Sequence, residues 1–236
     1  MFKNIIAVFT IIIYGFAASY GQEILSPVVK VKSHPTLEIE KIMLTPDSSV
    51  FYMNIKNQLD KGGYFCVNRD VYITIPGSKQ KYNMVHSQGI ENCPQVHRFN
   101  SPGESVSFRL VFPPLPAGTK EVDMIENCDD HCFYLKGIVL DPELNAGIKN
   151  FEKALILFRQ DKKQEALVLF EQITENEKYP EEKHYAYSLY IVPLLYLETG
   201  NEDKAKNAFY KLKNSSIKNK EYFIDKLRDN EFFKSL

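Results

Sequence analysis

The chain has 236 residues, with 29 basic and 30 acidic side chains, a formal net charge of −1 and a hydrophobic fraction of 44%. This near-neutral balance excludes the broad basic surface that nucleic-acid binding requires, and neither half is charged enough to be a solvated tail. A chain of this length has room for two compact units of about 100 residues each, and each unit can bury its own core.

The first residues have the pattern of a cleavable secretion signal. Lys3 precedes an apolar run over residues 5–18, and the small residues Ser19 and Gly21 follow where a signal peptidase requires them. The run is shorter than the about 20 apolar residues that span a bilayer, which disfavours the competing interpretation as a retained anchor. We therefore predict a signal peptide over residues 1–21, a periplasmic or secreted protein, and no stable membrane span after cleavage.

The part of the chain that follows has the texture of short β-strands. Residues 22–35 form a polar lead-in, interpreted as a linker or an edge strand, and alternating apolar and polar residues begin at Thr36. Turn signals such as Asp60-Lys61-Gly62-Gly63 recur between the apolar runs, because glycine reaches positive φ without steric cost. We predict an antiparallel, immunoglobulin-like β-sandwich over residues 36–141, with about seven strands.

Four cysteines fall in this β-rich half. An even number of cysteines in an exported chain indicates disulfides, since an oxidising compartment lets them persist. Three pairings are possible, and the smaller entropy cost of closing short loops favours Cys66 with Cys93 and Cys128 with Cys132.

The segment Cys128-Asp129-Asp130-His131-Cys132 leaves other chemistry open. Its two cysteines and His131 could ligate a metal, with Cys66 or Cys93 as the fourth ligand, or the two cysteines could form a redox pair. Active dithiols usually lie at a helix N-terminus, whose dipole lowers the thiol pKa, whereas this segment lies between two predicted strands and contains two acidic residues. A structural disulfide across a hairpin turn is the favoured interpretation, and neither a metal nor another cofactor is predicted.

The end of the β-rich half resembles a known module. The stretch Phe112-Pro113-Pro114-Leu115-Pro116 followed by Gly118-Thr119-Lys120 leads into the last two predicted strands. It is similar to a β-sandwich module of exported bacterial proteins that often precedes a thioredoxin-like domain. A helical region takes that place in this chain, so the resemblance implies the fold and no inherited redox role.

The spacing of apolar residues becomes helical after Asp141-Pro142. The pattern predicts five helices, over residues 150–158, 164–173, 185–197, 202–212 and 221–228. We therefore expect the boundary between domains near residues 141–146 and a helical domain over residues 145–236.

The helical half contains an internal repeat. Ala205 follows Ala166 by 39 positions, and Gly200 follows Asp161 at the same offset. A period of this order is typical of helical-hairpin arrays. The pattern resembles the tetratricopeptide repeat, in which small residues allow two helices to touch and an aromatic residue follows one turn later. The residues that carry the resemblance are Ala154, Ala166, Phe170, Gly200, Ala205 and Phe209.

Two features depart from that repeat. The spacing exceeds the usual length of about 34 residues, so the loop over residues 176–183 must absorb the excess. Pro193 falls inside a predicted helix, where it removes one hydrogen bond and is expected to kink the helix. Because at least three repeats are normally needed for stability, we also expect the array to dock on the β-rich unit or on a partner.

Several tyrosines make the third predicted helix aromatic. In the tetratricopeptide register, Arg159, Tyr187, Tyr190 and Glu198 would line the concave groove in which such arrays bind peptides, since aromatic residues and arginine are favoured interface anchors. The competing interpretation is that the tyrosines pack against the β-rich unit. The resemblance implies a non-enzymatic exported adaptor with a protein or peptide partner in the cell envelope.

No catalytic motif competes with this interpretation. The sequence has no Gly-x-Ser-x-Gly elbow, no His-Glu-x-x-His motif and no phosphate-binding loop, so we predict no enzymatic activity. A second hypothesis is a redox- or metal-linked accessory protein centred on Cys128 and Cys132. A third is a carbohydrate-binding or adhesive sandwich, which the lack of tryptophan, the commonest sugar-stacking residue, disfavours.

Overall fold

The structure is a computed structural model that describes residues 21–129 and 131–236. Apart from Gly21, the predicted signal peptide lies outside the described residues. The expected order of a β-rich unit followed by helices is confirmed, and the strands are antiparallel. Within the described part of the chain, no helix combines the length and the apolar character needed to cross a membrane.

The β-rich unit contains twelve strands among the described residues, more than the seven expected. They are β1 (Gln22–Leu25), β2 (Val29–Lys32), β3 (Leu37–Leu44), β4 (Ser49–Lys56), β5 (Tyr64–Phe65), β6 (Val71–Thr74), β7 (Lys81–Asn83), β8 (His86–Gln88), β9 (His97–Arg98), β10 (Ser105–Phe112), β11 (Glu121–Glu126) and β12 (Tyr134–Val139). One five-stranded sheet has the order β1, β3, β4, β10, β8 and the other has the order β2, β12, β11, β6, β7. Strands β5 and β9 pair separately.

The two large sheets share one hydrophobic core. Because successive side chains of a strand point to opposite faces, every second residue of β4 is buried, including Phe51 and Met53. The other sheet contributes Ile73 and Met124 to the same cluster. The alternation that predicts strands therefore also selects the side chains that fill the core.

The structure corrects the prediction of a linker over residues 22–35. This segment forms β1 and β2, which pair with β3 and β12 at the edges of different sheets. The edge-strand alternative is thus the correct one for most of the segment. A four-residue strand has only two inward positions, so its alternation is too short to distinguish it from a linker.

Six helices follow: α1 (Pro142–Arg159), α2 (Lys163–Glu175), α3 (Lys183–Glu198), α4 (Glu202–Asn214), α5 (Lys220–Arg228) and α6 (Glu231–Lys234). Helix α1 begins at Pro142 and not at Asn150, because the Asp141 side chain caps it and accepts hydrogen bonds from the backbone N–H groups of Glu143 and Leu144. Pro193 is buried within α3, which continues to Glu198.

The turns between α1 and α2 and between α3 and α4 repeat the same backbone geometry at the 39-residue offset. Asp161 and Gly200 occupy equivalent positions with left-handed φ values of +59° and +76°. The backbone hydrogen bonds match as well. The backbone N–H of Gln160 donates to the carbonyl of Ile156, as that of Thr199 donates to the carbonyl of Leu195. In the same way, the N–H of Lys162 donates to Leu157 and that of Asn201 donates to Tyr196.

The start of α1 is attached to the β-rich unit. The side-chain oxygen of Asn145, which is 6% exposed, accepts a 2.7 Å hydrogen bond from the backbone N–H of Val28, between β1 and β2. A small apolar cluster surrounds this contact and includes Val139, Leu144 and Tyr179. The two units are therefore joined by a buried hydrogen bond and apolar packing as well as by the chain itself.

Candidate functional site

A large cleft in the helical unit lies between the N-terminal ends of α3 and α5. Its volume is about 860 Å³. We call it the α3–α5 cleft, and it is lined by Pro180, Glu181, Lys183, Ala186, Tyr187, Lys218, Asn219, Glu221, Tyr222 and Phe223.

Aromatic rings form a continuous wall of this cleft. The Tyr187 ring lies between Phe151 of α1, at a centroid distance of 6.5 Å, and Phe223 of α5, at 5.4 Å. Tyr190 and Tyr222 also contact Phe223, at 5.6 and 5.5 Å. Tyr187 nevertheless remains 46% exposed and Tyr222 is more exposed still. Rings fixed on one side and open on the other can cover an apolar group of a partner at little entropic cost.

The loop between α4 and α5 positions the second wall. The buried side chain of Ile217 anchors this loop in the helical core. The Lys220 ammonium donates to the backbone carbonyls of Lys213 and Ser215, at 3.3 and 3.2 Å, and so satisfies carbonyls at the C-terminal end of α4. These contacts hold the first turn of α5, with its Tyr222 and Phe223, beside α3.

The charges around the α3–α5 cleft are balanced. Lys183 and Lys218 are matched by Glu181 and Glu221. A partner with a large charge of either sign therefore gains little from this lining, and contact with the aromatic wall is the main source of affinity.

The four residues predicted for the groove are not brought together. Tyr187 lines the cleft, and Tyr190 is half-buried behind it on Phe223. Arg159 is exposed in the last turn of α1. Glu198 ends α3 and forms a 3.1 Å ion pair with Lys163 at the start of α2. Arg159 and Glu198 thus lie at helix ends that do not contribute to the cleft.

Tyr222 and Phe223 are cleft residues that the sequence analysis missed. They lie in the predicted helix over residues 221–228, and the pairing of that helix with α3 brings them to the site. The available signal was the adjacent aromatic pair Tyr222-Phe223 in that predicted helix. The competing interpretation placed the tyrosines of α3 against the β-rich unit. The ring contacts of Tyr187 and Tyr190 are instead with phenylalanines of the helical unit.

The residues assigned to repeat packing lie in one helical core. Ala154, Ala166 and Ala205 are fully buried, and Phe170 and Phe209 are fully buried with them. Gly200 is exposed in the turn before α4. The small side chains of the three alanines allow the paired helices to approach closely.

The four cysteines form the two predicted disulfides, Cys66 with Cys93 and Cys128 with Cys132. Their Cα atoms lie 5.3 and 5.6 Å apart, within the usual Cα separation of disulfide-bonded cysteines. Among residues 21–129 and 131–236, no group of three or more histidine, cysteine or acidic side chains is close enough to hold a metal ion.

Both disulfides open onto one cleft of about 540 Å³ in the β-rich unit. We call it the disulfide cleft. Its described lining consists of His34, Leu59, Tyr64, Phe65, Cys66, Asn68, Cys93, Glu126, Cys128, Asp129 and His131.

Glu126 connects the two disulfide-bonded segments. Its carboxylate accepts a 2.6 Å hydrogen bond from the backbone N–H of Asn68 and a 3.0 Å bond from that of Phe133. The side chain is only 7% exposed, and this burial raises the pKa of Glu126 against the opposing effect of the two hydrogen bonds. Glu126 is therefore a structural residue that also places a carboxylate in the lining of the disulfide cleft.

No protein-family model and no curated protein sequence matches this chain. The functional argument therefore depends on the two clefts themselves.

Proposed function

We propose that the protein is a non-enzymatic exported adaptor that binds a protein or peptide of the cell envelope through the α3–α5 cleft. The observation that carries this proposal is the half-exposed Tyr187 ring, fixed between Phe151 and Phe223 in the wall of an 860 Å³ cleft. Tyrosines of this kind are frequent anchors of protein interfaces, because they add a large contact area and lose few rotamers on binding.

In this proposal the helical unit is a tetratricopeptide-like array. Support comes from the equivalent hydrogen bonds at the turns containing Asp161 and Gly200. Helices α1, α3 and α5 would then form the concave face, consistent with the contacts of α3 to both of the others. The α3–α5 cleft would be one end of that face.

The β-rich unit is proposed to be an immunoglobulin-like sandwich that carries the array. Two antiparallel sheets around one core support this assignment. Two disulfides are compatible with an exported protein, because such bonds persist in oxidising compartments.

The redox- or metal-linked alternative has less support. Cys128 and Cys132 are bonded to each other, so neither sulfur is a thiolate available to a metal or a substrate in this state. Nothing in the structure favours the carbohydrate-binding alternative over the adaptor.

Site-specific photocrosslinking in the exporting cell tests the adaptor. A benzophenone amino acid at position 187 should crosslink to a discrete partner. The matched control is position 210, because Tyr210 is 37% exposed on α4 and is not part of the cleft lining. The benzophenone amino acid at position 210 should give no such adduct.

Variants then test whether the adduct reports binding. Tyr222→Ala should abolish or strongly weaken the crosslink from position 187, while Tyr210→Ala should leave it unchanged. Equal adducts from positions 187 and 210, or a crosslink insensitive to Tyr222→Ala, would count against the proposed groove.

A further inference from the structure

The disulfide cleft is a second binding site candidate, and its described lining belongs entirely to the β-rich unit. Two large apolar side chains, Leu59 and Tyr64, line it while remaining 59% and 57% exposed. Phe65 lies beside Tyr64 and is buried. Covering Leu59 and Tyr64 would remove apolar surface from water, which favours a ligand with an apolar portion.

The charged residues in the same cleft are of one sign. Glu126 and Asp129 are acidic, and the described lining includes no lysine or arginine. The histidines His34 and His131 also line it, and the His34 ring packs edge-on against Phe65 with centroids 6.3 Å apart. The carboxylates of Glu126 and Asp129 give the lining a negative charge, so it attracts a cation.

Two disulfides brace the cleft. One disulfide closes the segment from Cys66 to Cys93 and the other closes that from Cys128 to Cys132. Glu126 links the first segment to the residue after the second, through the backbone N–H groups of Asn68 and Phe133. A preformed cleft of this kind loses little conformational entropy when it binds a ligand.

We propose that the disulfide cleft binds a primary alkylammonium group, with the alkyl stem against Leu59 and the charged head near the Tyr64 ring, Glu126 and Asp129. The geometry combines an aromatic ring, an aliphatic side chain and two carboxylates, which together complement both parts of such a ligand. No covalent bond forms. This site is independent of the adaptor function proposed for the helices.

The burial of Glu126 supports the same ligand chemistry. Its carboxylate is removed from water without a paired lysine or arginine in the described cleft lining. A bound ammonium would supply the missing counter-charge and would favour the ionised carboxylate.

An alkylammonium can come from a lysine side chain of another protein or from a free alkyl amine. Binding is measured by NMR chemical-shift titration of the mature protein with four probes at a pH where imidazoles are neutral. The free-amine arm compares n-hexylammonium with 1-hexanol, which has the same stem and no charge. The protein arm compares N-acetyl-lysine methylamide with N-acetyl-norleucine methylamide.

We expect saturable shifts at Tyr64 and Asp129 with at least one of the ammonium probes and about three- to tenfold weaker binding of its neutral partner. If the lysine derivative binds more tightly than hexylammonium, the ligand is a lysine side chain of a protein. If hexylammonium binds more tightly, the ligand is a free amine. Equal affinity of charged and neutral probes, or shifts confined to residues outside the cleft, would overturn the proposal.

Substitutions separate the contributions of charge and ring. Asp129→Asn should weaken ammonium binding about two- to fivefold and leave binding of the neutral probe unchanged. Tyr64→Leu keeps the apolar contact and removes the aromatic face, so it should also weaken the ammonium selectively. The matched control is Tyr134→Leu on β12, whose ring is 38% exposed outside the cleft lining and should not matter. Unchanged selectivity in both cleft variants would contradict the assigned site.

Discussion

Glu126 is a single side chain on which two disulfide-bonded segments depend. Each carboxylate oxygen accepts a hydrogen bond from a different segment, through Asn68 and Phe133. Glu126→Gln replaces one acceptor oxygen by an NH₂ group that faces a backbone N–H. We expect the free energy of unfolding to fall by about 1–3 kcal/mol, measured by urea denaturation with both disulfides intact.

The difference in the free energy of unfolding between the native protein and Glu126→Gln should depend on pH. Burial raises the pKa of Glu126 in the folded state above its ordinary value of 4.5. The folded protein therefore binds this proton more tightly than the unfolded chain, and the stability that the group contributes is lost as pH rises through the raised pKa. The stability advantage of the native protein over Glu126→Gln should shrink as pH rises from 4.5. An advantage that widens over this interval would contradict the assigned shift.

Gly200 is required by the backbone at the second hairpin turn. Its φ of +76° lies in the left-handed region, where a Cβ atom is unfavourable. Gly200→Ala should lower the free energy of unfolding by about 1–2 kcal/mol. Gly200→Asn is the matched control and should cost less, because asparagine tolerates this conformation. Equal losses in the two variants would show that φ is not the cause.

At the scale of the element, the start of α1 depends on Asp141. Its carboxylate accepts from the backbone N–H groups of Glu143 and Leu144 at 3.0 and 3.1 Å. Asp141→Ala should therefore reduce the free energy of unfolding by about 1 kcal/mol, whereas Asp141→Asn, which keeps an acceptor oxygen, should retain most of the stability. Chemical denaturation of the three proteins compares them directly, and an equal effect of both substitutions would exclude capping as the cause.

Element prediction from the sequence succeeded where periodicity is long. The predicted ranges over residues 164–173, 185–197, 202–212 and 221–228 each fall inside an observed helix, because apolar residues at helical spacing mark one buried face. The first turns of α1 were missed since residues 142–149 contain proline, asparagine and glycine, which favour turns. The cap at Asp141 and the hydrogen bond between Asn145 and Val28 stabilise the first turns of α1.

The candidate sites were harder to predict than the elements. Tyr187 was identified from its own helix, but its neighbours Phe151 and Phe223 lie on two other helices. Likewise, Leu59 and Tyr64 join Asp129 in the disulfide cleft although about 70 positions separate them in the chain. Local patterns carry no information on such long-range contacts until the pairing of elements is known.

At the scale of the whole molecule, Asn145 connects the two units. It is buried and accepts the backbone hydrogen bond of Val28. Asn145→Leu leaves that N–H without its partner, so we expect the free energy of unfolding to fall by about 1–3 kcal/mol. Asn150→Leu is the control, since the Asn150 side chain is half-buried and makes no hydrogen bond within residues 21–129 and 131–236. Calorimetry should show a lower transition temperature for the first variant only.

The contact between Val28 and Asn145 has a mechanical consequence. Val28 lies between β1 and β2, which are edge strands of different sheets. A pulling force on the helices therefore reaches the β-rich unit through the chain at Leu140, through this hydrogen bond, through the bond from the Lys149 ammonium to the Leu25 carbonyl and through apolar packing. Because β1 and β2 are held to their sheets by ladders of backbone hydrogen bonds, tension from a bound partner would be shared between both sheets.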